Sequence, residues 1–164
     1  MSTGTDQRPT TPPPRFAGLL ATWFGVGLLP GAPGTWGSLA ALPFAWVIAS
    51  VWAPWGLAVL VLPLILVGWW ASESYCRATG LKDPGPIVID EVAGQWLTLA
   101  VLPVDLLAYA IGFVAFRAAD VLKPWPASFA DRRIRGGLGV MLDDVLAVLY
   151  AAPVAWIVYW SIAS

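Results

Sequence analysis

The chain has 164 residues, of which 59% are hydrophobic and 12% charged, with a formal net charge of −1. That length suits one domain, and a mean hydropathy of +0.73 lies outside the soluble range. The absence of histidine removes the commonest acid–base group, and a single cysteine, Cys76, excludes an intrachain disulfide. No basic domain or recognition motif points to nucleic acid. Between Phe16 and Ser72, and again from Val145 onward, there is no Asp, Glu, Lys or Arg. Gaps of that length point to lipid as the solvent, and the eleven tryptophans suit its boundary with water. The alternative is a soluble helical protein or subunit with a large core.

Residues 1–15 are polar and proline-rich and are expected to form a disordered tail before a single helical domain, 16–164. Phe16–Leu29 is too short for an ordinary span and reads as an interfacial or re-entrant helix, turned by Pro30–Gly34. Ser38–Trp52 and Gly56–Ser72 form a transmembrane hairpin about Ala53-Pro54-Trp55. Glu73–Pro86 reads as a polar loop, Ile87–Leu102 and Leu106–Phe116 are apolar, and Val145–Trp160 is the last span. The fold class is thus all-α and polytopic, with about four to five membrane helices.

Two readings exist for the middle. Val92–Phe116 is long enough to be one 25-residue crossing, or Pro103-Val104-Asp105 is a turn between two short helices. An unpaired Asp at the bilayer centre is costly and proline removes a backbone donor, which favours the turn. The turn also puts Arg77, Lys82, Arg117, Lys123, Arg132, Arg133 and Arg135 on one side, the cytoplasmic one by the positive-inside rule.

Four clusters carry candidate chemistry on that side. In Pro33–Ser38, glycines flank Thr35 and allow backbone N–H groups near an anion, while Ser38 is placed to cap the following helix. Asp90-Glu91 stands at a span's entry, where acids also complement the helix dipole. Arg117, Asp120 and Lys123 are spaced to share roughly one helical face, suiting phosphate or a salt-bridged interfacial turn. Asp131–Asp144 joins a basic run with Arg132 and Arg133, the glycines 136, 137 and 139, and the Asp143-Asp144 pair. The arginines suit anionic headgroups or serve as topogenic charges, and the glycines permit close ligand approach. Asp90, Glu91, Asp120, Asp143 and Asp144 form a hard-oxygen donor set that suits Mg²⁺ and phosphate-ester hydrolysis. A carboxylate nucleophile remains open beside an attacking water.

The segments LLPGAPGTWGSLAALP, IVIDEVAGQW, FRAADVLKPWP and DRRIRGGLGVMLDDVLA resemble the phosphatidylglycerophosphatase A family in order and spacing. The resemblance runs from about Gly27 to Tyr150. It implies an all-helical, Mg²⁺-dependent enzyme of the bacterial inner membrane that converts phosphatidylglycerophosphate to phosphatidylglycerol, with the lipid and the bilayer as its partners. Carried over by position, its acidic motifs fall on Asp90, Glu91, Asp120, Asp143 and Asp144, the expected catalytic and metal-holding residues. Its other motifs fall on Gly34, Thr35, Ser38, Arg117, Lys123, Arg132 and Arg133, expected at the phosphate and headgroup. The Asp83-Pro84-Gly85 loop departs from the family pattern and receives no catalytic part.

Histidine-dependent, Asp-x-Asp-x-Thr, Cys-x5-Arg and Asp-x-x-Asp-Gly enzyme types are excluded by the missing residues or motifs. A small transporter or structural subunit using the acids to bind a cation is the reading from another class. It predicts a polar path through the spans, where only Asp105 is charged.

Overall fold

Proline and glycine punctuate an otherwise helical chain. The computed structural model describes residues 11–163, so most of the expected polar tail lies outside the described residues. Within them Thr11 already donates to the Ala78 carbonyl at 3.2 Å. The helices are α1 (Arg15–Ala21), α2 (Pro33–Trp52), α3 (Trp55–Thr79), α4 (Ile89–Leu99), α5 (Leu106–Leu122), α6 (Ala127–Arg133) and α7 (Gly137–Ala163). No strand occurs among the described residues. Phe16–Leu29 resolves into α1 and a 3₁₀ turn at Val26–Leu28.

Several helix boundaries differ from the sequence reading; α4 is shorter than Ile87–Leu102, and α5 runs past Phe116 to Leu122. Helix α2 starts at Pro33, whose fixed φ suits a first helical position, so Ser38 lies inside the helix and does not cap it. Helix α3 runs past Ser72 to Thr79, where Gly80 closes it at φ +72. Glu73 and Arg77 lie within its last turns and pair at 2.7 Å, an i,i+4 match that a polar-loop reading misses. Helix α7 starts at Gly137, so Asp143 and Asp144 sit about two turns inside it.

The midchain turn is present. Helix α4 ends at Leu99, and α5 begins after Asp105, whose carboxylate accepts from the Ala108 N–H at 2.9 Å. The Tyr159 hydroxyl and that N–H hold the Asp105 carboxyl below its usual range. The acid that looked costly as a mid-membrane residue is therefore an N-cap. The two helices return antiparallel: Gly94 of α4 packs on Phe116 of α5, and Gly112 of α5 packs on Leu99 and Leu102. A Cβ at Gly94 would overlap the Phe116 ring, so glycine is what permits this approach.

Helix α4 is the centre of the bundle, buried around most of its circumference and packed by α2, α3, α5 and α7. Small residues make this possible, with Gly37, Ala41, Ala45 and Ala49 lining the inner face of α2. Only α2, α3 and α7, among the described helices, are long and apolar enough to cross a membrane; α4 and α5 have 11 and 17 residues. Large apolar side chains such as Val47, Leu62, Leu66 and Ile157 stay exposed on the long helices. Such a surface is suited to lipid. Exposed Trp52 and Trp55 mark the Ala53-Pro54 turn, and exposed Trp36, Trp69 and Trp70 lie toward the other ends of α2 and α3.

Candidate functional site

The start of α4 brings two acids into the protein, and α7 brings a third. Carboxylate oxygens of Asp90, Glu91 and Asp144 all lie within 4.8 Å of one another, an arrangement able to hold a metal ion. Asp90 is 8% exposed and Asp144 3%. Asp90 Oδ1, Glu91 Oε2 and Asp144 Oδ2 are buried and have no hydrogen-bond partner among the described residues. Three buried carboxylates this close repel one another and lose hydration, costs that a cation between them offsets. The donor set consists of hard oxygens, which fits a hard divalent cation.

Arg117 of α5 lies on the Gly34 side of this group, near Glu91. Arg117 pairs with Asp120 at 2.6 Å, so Asp120 is engaged by its own helix and lies outside the three-carboxylate group. A Cβ built on Gly34 would overlap Glu91 Oε1 and come within 3.0 and 3.1 Å of the Arg117 guanidinium. The first turn of α2 thus closes one side of the site. Gly34→Ala is expected to lower phosphatase turnover at least about tenfold by displacing Glu91, with expression unchanged; wild-type turnover would show that this contact is not needed.

Lys123, in the left-handed conformation at φ +43, ends α5 and turns its ammonium to Asp143 at 2.6 Å and Asp131 at 3.0 Å. Burial alone would lower its pKa, but the bonds and charges of these two acids hold it above its ordinary value. Asp143 therefore faces Lys123, while its neighbour Asp144 faces the metal-type group. Asp131 was not singled out by sequence because the adjacent arginines dominate its motif. The Lys82 ammonium donates to the Asp131 carbonyl, tying α6 to the loop before α4. Burial pushes the nearby Asp83 carboxyl above its usual range.

The remaining expected residues are not gathered into the carboxylate group. Thr35 is half-buried in the first turn of α2, and Ser38 is fully buried with its hydroxyl unpartnered. Arg132 and Arg133 are exposed at the end of α6. The glycines of the fourth motif approach protein, not open space: Gly136 and Gly137 pack on Glu73, and Gly139 packs on Ile134. Glu73 accepts from the Gly137 N–H at 2.8 Å, supplying an acid to the N-terminus of α7.

A family model described as phosphatidylglycerophosphatase A matches residues 19–159. The chain belongs to the phosphatidylglycerophosphatase A family. A relative from Escherichia coli (strain K12), named phosphatidylglycerophosphatase A, is 43% identical over 142 residues, covering 85% of this chain and 81% of its own. One of the same name from Haemophilus influenzae is 36% identical, covering 87% and 88%. A third, from Bacteroides thetaiotaomicron, is provisionally named a phosphatidylinositol-3-phosphatase and is 34% identical, covering 88% and 94%. No solved structure matches the chain. Membership makes the chain a lipid phosphatase of helical membrane type, and its four motifs meet around the starts of α2, α4 and α7 and the end of α5.

Proposed function

We propose that the chain hydrolyses the terminal phosphomonoester of phosphatidylglycerophosphate, releasing phosphatidylglycerol and inorganic phosphate. The observation that carries this reading is the buried group of Asp90, Glu91 and Asp144, set beside the Arg117–Asp120 and Lys123–Asp143 ion pairs. The names of the two phosphatidylglycerophosphatase relatives supply the lipid. Asp90, Glu91 and Asp144 would hold Mg²⁺, which when bound neutralises phosphate oxygens and lowers the pKa of a water. Arg117 has the planar donor fork that fits a phosphate, and Lys123 adds a second positive charge. Asp120 and Asp143 hold these two cations in place through the pairs already described. Substrate dianion and protein carboxylates would otherwise repel, so the cations also offset that repulsion.

The site faces the cytoplasm of a bacterial inner membrane in this reading. Arg77, Lys82, Arg117, Lys123, Arg132, Arg133 and Arg135 lie at or between the helix ends on the site side, whereas the turns at Ala53-Pro54 and Ala100–Asp105 carry no Lys or Arg. That asymmetry supports the orientation. In a Cys76→Ala background, Asp105→Cys is expected to react with impermeant maleimide added to cells whose outer membrane is permeabilised and whose inner membrane is intact. Labelling only after the inner membrane is opened would reverse the orientation.

Phosphate release from phosphatidylglycerophosphate in detergent, with Mg²⁺ and with chelator, tests the reaction. Release that needs Mg²⁺ and exceeds release from phosphatidylinositol-3-phosphate supports the assignment. Release from the inositol lipid alone would favour the activity named for the Bacteroides relative.

A further inference from the structure

Three basic residues converge where α3 ends and α7 begins. Arg77 comes from the last turns of α3, Lys82 from the segment after it, and Arg135 from the residues before α7. With Glu73, Leu81 and Gly136 they line an open cleft of about 400 Å³. A second cleft, of about 480 Å³, shares Glu73 and Arg77 and continues along α3 to Trp69 and Trp70. None of Asp90, Glu91 and Asp144 lines either cleft.

The cleft holds three cations against one carboxylate, and that carboxylate is already engaged at both oxygens. Glu73 Oε1 accepts from Arg77 Nε at 2.7 Å, and Oε2 accepts from the Gly137 N–H at 2.8 Å. The Arg77 side chain nonetheless stays 78% exposed. Lys82 is exposed, and its ammonium donates to the neutral Asp131 carbonyl. Arg135 is exposed and has no hydrogen-bond or ion-pair partner among the described residues. Asp83 lines a smaller cavity with Asp131 and Asp143, and not this cleft. A topogenic role explains the sign of these residues, but it requires neither a concavity nor convergence from three segments.

The other end of the groove is apolar. Trp69 and Trp70 are exposed, and the Phe16 ring stands 6.2 Å from that of Trp70. Leu62, Leu66, Trp70, Glu73 and Arg77 follow one another by three or four positions, so they share one stripe of α3. Along it, exposed leucines give way to indoles and then to charge, the order a lipid presents from chain to headgroup. From this we infer that the groove binds an anionic glycerophospholipid, with Arg77, Lys82 and Arg135 on its phosphodiester and an acyl chain along the leucine and tryptophan stripe. Guanidinium forks suit phosphate oxygens, and basic pockets between membrane helices suit anionic headgroups. Lys82 also lines the cavity that holds Asp143, so the bound lipid lies beside the candidate site. It is either the substrate, held by its own phosphodiester, or a neighbouring lipid.

Native mass spectrometry of the full-length protein in neutral detergent, with phosphatidylglycerol, phosphatidylcholine or inorganic phosphate added, tests the binding. Wild type is expected to retain phosphatidylglycerol in preference to phosphatidylcholine. Arg77→Gln with Arg135→Gln should weaken that binding about tenfold or more. Arg132→Gln with Arg133→Gln removes equal charge from the exposed end of α6, outside the groove, and should weaken it less than about threefold. All four side chains are exposed, so both double variants should fold. Equal losses in the two double variants would reduce the binding to diffuse surface charge. Equal retention of phosphatidylcholine, or displacement of phosphatidylglycerol by the same concentration of phosphate, would remove the anionic lipid as occupant. Any of these overturns the inference. The KM for phosphatidylglycerophosphate then identifies the source of the lipid. A rise in Arg77→Gln with Arg135→Gln in neutral micelles assigns the groove to the substrate, and a change only with added phosphatidylglycerol assigns it to a neighbour. This last arm alone rests on the phosphatase reading; lost preference for phosphatidylglycerol with intact turnover would sink the inference and leave that reading standing.

Discussion

Asp144→Asn is expected to lower turnover of phosphatidylglycerophosphate at least about a thousandfold, because a divalent cation supplies several kcal/mol of transition-state stabilisation and each 1.36 kcal/mol is tenfold. Asparagine keeps the shape of the side chain and removes one charge from three. Apo-protein stability should rise or stay level, since three buried carboxylates within 4.8 Å repel one another. Asp90→Asn should behave alike. Asp143→Asn should lose less, because Asp143 meets Lys123 at 2.6 Å and stands outside the metal-type group. Steady-state phosphate release, with thermal unfolding in chelator as control, checks all three. Equal losses for Asp143→Asn and Asp144→Asn would merge the two roles separated here.

Arg117→Met carries the second large effect. Arg117 and Asp120 are both mostly buried side chains, and removing one member leaves a buried charge unpaired, which typically costs about 3–5 kcal/mol. Activity should fall about a hundredfold or more, but part of that loss comes from stability. Pairing it with Asp120→Leu removes the stranded charge and should return the unfolding midpoint toward wild type without returning activity. Arg117→Lys should recover little, because an ammonium lacks the planar fork. A double variant that regained both stability and turnover would reduce the pair to a structural role.

Much of the fold is legible from hydropathy and proline alone. The apolar runs correspond to α2, α3, α5 and α7, and Pro103–Asp105 is a turn because an N-capping Asp and a donor-less Pro suit a helix entrance and not a bilayer centre. Helix ends were harder to place. Charge at Glu73 reads as the end of a span, yet a helix can carry an i,i+4 ion pair on into the interface, as Glu73 and Arg77 do. The glycines of residues 136–139 show another ambiguity. Close approach to a ligand and close approach to another helix both demand a missing side chain, and here the neighbours are Glu73 and Ile134.

The five acids were legible as a set but not as two subsets. Which of them share an ion depends on rotation of α4 against α7 and on where α5 ends, relations between helices distant in sequence. Adjacent Asp143 and Asp144 point about 100° apart on α7, which sends one to Lys123 and the other to Asp90 and Glu91. Asp131, which pairs with Lys123, is not legible as a site residue because the adjacent arginines dominate its motif.

Calorimetric titration of Mg²⁺ into the purified wild-type protein and Asp144→Asn, in the same detergent used for phosphate release, bears most directly on the three-carboxylate centre. Saturable binding to wild type is expected, lost or weakened about a hundredfold or more in Asp144→Asn, at concentrations that also support turnover. Equal Mg²⁺ binding by the two proteins, or full turnover by wild type in chelator, would contradict it.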